Sequence, residues 1–173
     1  MKENSAEREA TNDGVPEPAE MDPKIDPYLA DLVHTVETVA AAGRKAMPTV
    51  RLPVTLIVGG AIVSGEITAG REWWPEYEKQ LLSADAGPTT TPGVVSALSH
   101  AMVERIRGVW QSFYASDEAP QLSELSYIHL RDAHVVHPQG FVPGDIQGTL
   151  MRLKLAEVLA WSFGTYVPQS DIS

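Results

Sequence analysis

The sequence predicts an α+β domain in which helices pack against an antiparallel sheet. Apolar residues recur at helical spacing in three segments, which begin near residues 27, 71 and 94. Between the first two segments, two β-branched runs flank a pair of glycines in the pattern of a hairpin. With 173 residues and 43% apolar content, the chain is long enough to bury one core of its own.

The ends of the chain differ from its body. Residues 1–25 are charged, rich in proline and almost free of large apolar side chains, so folding them would cost entropy without compensation. We therefore expect a disordered acidic tail over 1–25, a single domain over 26–166 and a flexible C-terminus over 167–173. The chain shows no signal-peptide pattern and no apolar run long enough to cross a membrane, which predicts a cytoplasmic protein.

Composition excludes several classes of function. The chain has no cysteine, which removes disulfides, thiolate nucleophiles and the common structural zinc sites. Its net charge of −10 disfavours nucleic-acid partners, whose phosphates are bound largely by Lys and Arg. No pattern in the sequence indicates a cofactor.

The first helix and the hairpin follow directly from local signals. Asp26 and Pro27 are typical of an N-cap and a first helical residue, and the apolar spacing that follows should end near Gly43. Residues 52–58 and 61–68 then form two strands joined at Gly59–Gly60. Both faces of the first strand are apolar, which indicates a strand covered on two sides or one that closes into a small barrel. Gly65 in the return strand suggests a bend or a bulge.

Two more helices and a strand complete the elements that periodicity resolves. Residues 71–82 form a helix with Pro75 in its first turn. A longer helix carries one apolar stripe, which we expect to pack on the sheet, formed by Val95, Leu98, Met102, Ile106, Val109 and Phe113. Residues 125–137 alternate as a strand ended by Pro138. Periodicity leaves residues 149–167 open, as one helix or two strands.

Three motifs suggest chemistry, and each has a simpler structural explanation. Gly59–Gly60 lacks the Lys-Ser/Thr of a P-loop and is followed by a strand, so we interpret it as a turn rather than a phosphate site. His129, His134 and His137 invite a zinc hypothesis, but strand geometry places His129 and His134 on opposite faces and therefore predicts no metal site.

The remaining polar groups also lack a catalytic pattern. Glu72, Glu76 and Glu78 lie beside Arg71 and Lys79 on a short helix, as on a solvated face with charge pairs one turn apart. Ser64 lies in a strand without a nucleophile elbow. We predict that the chain is not an enzyme; a small enzyme using His134 and His137 is the less favoured reading.

The adjacent pair Trp73–Trp74 is the strongest indication of an interface in the residues themselves. Two neighbouring side chains on a helix cannot point into the same core, so we expect one indole to pack on the sheet and the other to be partly exposed. Tryptophan is also enriched in binding hot spots.

Three ordered segments resemble the gas vesicle accessory protein U family, GvpU. They are "VTLIVGGAIVSGEITAGREWWPEYEKQL", "YIHLRDAHVVHPQG" and "GTLMRLKLAEVLAWSFG", and the likeness covers residues 27–165. Family members carry "TLNVGGAVVSG", "FIHLKDA" and "WRGKLSEVDGFSLG" in the same order. Leu153 departs from a family Gly, and Leu159–Ala160 replaces a family Asp-Gly. The matching positions are Thr55, Gly59, Gly60, Ser64, Gly65, Ile128, His129, Leu130, Asp132, Ala133, Arg152, Lys154, Leu155, Glu157, Val158, Phe163 and Gly164.

The resemblance implies a fold. It makes the last quarter two strands joined by a minimal turn at residues 155–157. The order of elements then looks like an Sm-like small β-barrel, with an N-terminal helix, about five antiparallel strands and a helical insertion over about 71–122, between strands 2 and 3.

The resemblance also implies a function without catalysis, in gas vesicle assembly or organisation through protein–protein association. Partners would be other gas vesicle proteins, gas vesicles themselves or further copies of the chain, with no nucleic acid and no membrane. We take Trp73, Trp74, Tyr77, Arg152 and Lys154 as candidate partner-binding residues. An Sm-like RNA-binding module is the alternative, suggested by the order of elements alone and opposed by the net charge.

Overall fold

The computed structural model describes residues 22, 24–43, 50–83, 93–116, 118–136 and 148–165. Most of the predicted acidic tail and the predicted C-terminus lie outside these residues, so both stay predictions. The described chain forms three α-helices and five strands. They are α1 (Pro27–Ala42), β1 (Leu52–Val58), β2 (Ala61–Thr68), α2 (Gly70–Ser83), α3 (Val94–Phe113), β3 (Tyr127–Val136), β4 (Thr149–Lys154) and β5 (Val158–Phe163).

Helix α1 begins and ends where the sequence predicts. The Asp26 carboxylate accepts hydrogen bonds from the backbone N–H groups of Tyr28 and Leu29, both at 2.9 Å, so it satisfies two donors that the helix leaves free. Gly43 terminates the helix, and its N–H donates to the carbonyl of Val39.

The β1–β2 hairpin is confirmed in both its strands and its turn. The two strands pair antiparallel with Val58 opposite Ala61, which leaves Gly59 and Gly60 as a two-residue connection. Their φ angles of 58° and 83° lie in the left-handed region, which a tight hairpin turn of this kind requires at both positions. The glycines thus serve the backbone turn.

The sheet is open, and the predicted closed barrel is wrong. Its strand order is β4-β3-β2-β1-β5, so β4 and β5 lie at opposite edges, and no ladder joins them in the described part of the chain. The reason lies in the 3₁₀ turn Leu155–Glu157. A closed barrel would need β5 to pair with β4 as well, whereas after this turn β5 pairs with β1 alone among the described strands, starting with Val158 opposite Val58. The two strands in the last quarter and the helices between β2 and β3 are as the resemblance implies.

Strand β3 contains one more residue than its neighbours over the same length. Between the pairs Glu66–Arg131 and Ser64–His134, β2 advances two residues while β3 advances three. The extra residue is accommodated at Asp132, whose φ of 47° is the one positive value outside glycine among the described residues. The predicted bulge is therefore present opposite Gly65, with its extra residue in the partner strand.

The bulge reverses the expected orientation of the β3 histidines. His129 pairs with Thr68 and His134 with Ser64, and these two β2 residues share a face because they are four apart. His129 and His134 therefore lie on the same face of the sheet, and the prediction of opposite faces is wrong. It failed because strict alternation holds only in a strand without an inserted residue.

The two faces of the sheet have different covers. Helix α1 packs on one face, where its buried apolar residues and those of the strands form the main core. Helices α2 and α3 cover the other face over β2, β3 and β4. Ile57 of β1 lies beyond their reach and is exposed, which explains why a strand apolar on both faces does not need a barrel. The core comprises Ile25, Leu29, Ala30, Val33, Val36, Val54, Leu56, Val63, Ile67, Ala69, Leu125, Ile128, Leu130, Ala133, Leu155 and Val158.

A buried carboxylate joins the three helices. Glu37 of α1 accepts a hydrogen bond from the N–H of Gly70, at 2.7 Å, and another from the hydroxyl of Tyr114, at 3.2 Å. Gly70 begins α2, where the helix dipole favours a negative group. Burial raises the pKa of Glu37, and the two hydrogen bonds oppose that rise. Burial and the nearby Glu37 also raise the pKa of Tyr114.

Gly148 provides the sharpest test of the bulge. A Cβ atom at this position would lie 2.2 Å from the Cα of Asp132, so backbone would have to move. We expect Gly148→Ala to lower the free energy of unfolding by about 2–4 kcal/mol, measured by urea denaturation.

Gly108 is the matched control for that substitution. It lies within α3, and a Cβ there would meet nothing within 4 Å. Gly108→Ala should raise stability by about 0.5–1 kcal/mol, because alanine loses less backbone entropy in a helix. Equal effects of the two substitutions would contradict the packing described for the bulge.

Candidate interaction surface

Both tryptophans of the α2 pair are buried. The indole N–H of Trp73 donates to the carbonyl of Leu130 at 3.1 Å, so this side chain lies against the sheet as expected. Trp74 stacks on Trp110 of α3, with ring centroids 5.5 Å apart. The prediction that one indole is partly exposed is therefore wrong, because α3 covers the side of α2 that faces away from β3.

Four of the five predicted interface residues line one cleft. Trp73, Trp74, Tyr77 and Arg152 surround a space of about 320 Å³ between α2, α3 and β4. Arg152 also extends over the ring of Tyr127, with its guanidinium carbon 3.6 Å from the ring centroid.

Lys154, the fifth predicted residue, lies apart from this cleft. Its ammonium is 3.5 Å from the carboxylate of Glu157, an ion pair between exposed side chains. Pairs of this kind contribute little to stability. The structure thus brings four of the five candidates together and leaves Lys154 at the end of the β4 edge strand.

His129 is enclosed by aromatic rings under these helices. The imidazole centroid is 5.1 Å from that of Trp73 and 5.6 Å from that of Trp110. The side chain is 5% exposed, and neither ring nitrogen has a hydrogen-bond partner. Burial lowers the pKa of His129 to about 3, with a smaller contribution from the positive charge of Arg152. The imidazole is therefore neutral at physiological pH.

The other predicted polar groups form cross-element ion pairs. Glu76 of α2 lies 2.7 Å from Arg131 of β3, and Glu78 bonds Arg107 of α3. These carboxylates therefore attach α2 to its neighbours, whereas the sequence indicated pairs within the helix. Among the described residues, no three His, Asp or Glu side chains are placed to hold a metal ion; His137 lies outside them.

The apolar residues of α3 do not pack on the sheet as predicted. The side of α3 that faces the protein buries Ser99 and Val103, while a continuous row along the helix faces solvent. Leu98 is 59% exposed and Val109 69% exposed. We call this row the α3 stripe; it consists of Val94, Leu98, Met102, Arg105, Val109 and Phe113. Most of these residues belong to the stripe predicted to pack on the sheet, and that prediction is wrong because the structure exposes them.

The edge strand β5 exposes a second apolar surface. Leu159 is 73% exposed and Phe163 66% exposed. Trp161 is half-buried and meets Phe163 edge to face, with ring centroids 5.4 Å apart. Phe163 is one of the positions that match the family pattern, and only the strand order shows that it lies at a sheet edge.

Acid should weaken the fold through His129. In the unfolded chain an imidazole takes up a proton near pH 6.5, whereas the buried one resists it down to about pH 3. The unfolded state then holds more protons within this window, so stability falls as the pH drops, by up to about 1.4 kcal/mol per pH unit.

The contribution of His129 can be isolated by substitution. We expect His129→Leu to flatten the decline in stability between pH 6.5 and pH 4, measured by urea denaturation at a series of pH values. His100→Gln, on the exposed face of α3, controls for the loss of an imidazole. A pH dependence that is unchanged in His129→Leu would contradict the burial described here.

None of the helices in the described part of the chain combines the length and the hydropathy of a membrane-spanning segment.

No curated protein and no solved structure shows significant similarity to the chain. A family model described as gas vesicle protein GvpU-like matches residues 32–166, most of the chain and nearly all of the described domain. The chain therefore belongs to the GvpU-like family of gas vesicle proteins.

Proposed function

We propose that this protein is a non-catalytic accessory protein of gas vesicles, which acts in their assembly or organisation by binding other gas vesicle proteins. Family membership supports a role connected with gas vesicles. The observation that carries the mechanism is the edge strand β5, whose outer side pairs with no other strand in the described part of the chain and whose large apolar side chains are exposed. Its place of action would be the cytoplasm, at the gas vesicle surface.

The inner side of β5 is held firmly in place. The strand pairs with β1 from Val158 to Phe163. Beyond its end, the hydroxyl of Thr55 donates to the carbonyl of Gly164 at 2.8 Å, and the N–H of Gly164 donates to the carbonyl of Pro53 at the same distance. A partner strand would meet an edge that is already ordered, so binding would cost little conformational entropy.

Burial of the apolar side chains on this edge would add binding free energy to that of the backbone hydrogen bonds with a partner strand. Phe163 and Trp161 form one aromatic contact, and Leu159 lies near the start of the same strand. Native proteins usually protect such an edge with charge or cover, because it invites pairing with other chains. We infer that this edge is left open for a protein partner.

The perturbed histidine supports a non-catalytic role. Both ring nitrogens of His129 are enclosed away from solvent. A general base must reach the proton that it abstracts, and an enclosed imidazole of this kind cannot do so.

The charges of the described residues support a protein partner over RNA. Arg51, Arg107, Arg131 and Lys154 all lie within 4 Å of glutamate carboxylates. These four cations are therefore engaged within the protein, which leaves fewer positive charges to contact RNA phosphates on a chain whose net charge is already −10.

Gas-filled particles float, which allows a direct test. We expect the wild-type protein to accompany purified gas vesicles into the buoyant layer after centrifugation. The double variant L159K/F163K should reduce the bound fraction at least about tenfold, because it places two charges on the docking edge. The readout is immunoblotting of the layer against the remaining solution.

Val135→Lys is the matched control for these substitutions. Val135 is 51% exposed and apolar, and it lies on the inner strand β3. It should float with gas vesicles as the wild type does. Wild-type protein that stays in solution would contradict the proposed partner, and full flotation of L159K/F163K would contradict the role of β5.

A further inference from the structure

The α3 stripe is self-complementary when two copies of the helix run antiparallel. Its residues are spaced by four, four, three, four and four positions, and this order reads the same in both directions. With a two-fold axis between positions 103 and 104, position 94 meets 113, position 98 meets 109 and position 102 meets 105. The stripe extends over about 28 Å, at about 1.5 Å per residue.

We propose that the protein forms a two-fold symmetric dimer in which the α3 stripes of two copies pack antiparallel. A two-fold interface requires one patch that fits itself, and the α3 stripe has that property. The smaller side chain of each apolar pair meets the larger one: Val94 packs on Phe113 of the partner subunit, and Leu98 packs on Val109 of the partner subunit.

The shape of the surface favours the antiparallel arrangement. The C-terminal half of α3 borders a cleft of about 330 Å³, lined among others by Ile106, Val109 and Phe113. In the N-terminal half of the helix, Val94 and Leu98 project into solvent, at 48% and 59% exposed. An antiparallel pair places the projecting half of each helix over the cleft of the other. In a parallel pair, the projecting N-terminal halves of the two helices would face each other, and the two clefts would face each other.

The charge of the helix also suits a second copy. The whole chain carries −10, so most surfaces of two copies repel each other. Within α3 the charged residues are Glu104, Arg105 and Arg107, whose charges sum to +1, so two α3 helices repel each other only weakly. Arg107 is already bonded to Glu78 and Glu104.

Arg105 lies within the stripe without breaking it. At the position that it meets, Met102 of the partner subunit offers a flexible apolar side chain. The stem of Arg105 can lie along that methionine while its guanidinium reaches water. The small residues Ala97, Ala101, Gly108 and Ser112 line one side of the stripe and allow the helices to approach closely.

The dimer is tested with the purified full-length chain, so its outcome is separate from that of the gas vesicle assay. Analytical ultracentrifugation at about 100 µM, above the Kd of even a modest interface, should give the mass of a dimer. L98E and V109K should each raise the dimer Kd at least about 100-fold, because symmetry buries the new charge twice. Both positions are exposed, so the variants should fold, and their circular dichroism spectra should match that of the wild type.

Mixing the two variants tests the register itself. In a heterodimer of L98E with V109K, the new carboxylate at position 98 faces the new ammonium at position 109, and the other 98–109 contact is native. We expect the equimolar mixture to regain the dimer with a Kd within about tenfold of the wild type. A mixture of L98E with F113K is the control, because position 113 meets position 94; it should stay monomeric.

Three outcomes would overturn the proposal. Wild-type protein that is monomeric at this concentration excludes the dimer, and an L98E variant that remains dimeric excludes the α3 stripe as its interface. Loss of the dimer in both single variants without recovery in the L98E and V109K mixture excludes the antiparallel register. In the first case, a monomer would leave the stripe free for another protein.

Discussion

The bulge at Asp132 is the constraint on which the rest of the sheet depends. It allows Leu130 and Ala133, three residues apart, to face α1 together, while His129 and Arg131 face the two other helices. A regular strand would turn one half of β3 to the wrong face, because a shift of one residue exchanges the faces. The segment "IHLRDA" carries the family likeness and also forms this bulge, so its role is structural.

The second unifying feature is the buried carboxylate of Glu37. From its place on α1 it accepts hydrogen bonds from Gly70, the first residue of α2, and from Tyr114, the residue that follows α3, so the three helices share one polar centre. The guanidinium of Arg71 lies 5.6 Å from the ring of Tyr114 and contributes positive charge to the same region. Burying such groups is costly unless they are paired, and this cost restricts the helices to a single arrangement.

With the helices held in this way, the protein keeps two apolar surfaces exposed. The α3 stripe lies on a helix on one face of the sheet, and β5 forms the sheet edge beside β1. A dimer through α3 would leave both β5 edges free. A two-fold pair would thus present two equivalent strands to gas vesicle proteins, and two binding sites on one particle raise the effective affinity of each.

The sequence by itself determined the local structure of this protein and its family. Local backbone chemistry identified the ends of α1 at Asp26 and Gly43 and the hairpin turn at Gly59 and Gly60. The motifs of the last quarter indicated two strands where periodicity could not.

Only tertiary structure decided which surfaces are covered. The apolar residues of α3 are spread around much of the helix circumference, so periodicity alone does not show which side is buried. In the structure, the side that carries Ser99 and Val103 faces the protein. Trp74 was likewise buried by a helix distant in sequence, and closure of the sheet depended on where β5 pairs. Periodicity shows which side chains are apolar, but whether each one is buried depends on contacts between segments that are distant in sequence.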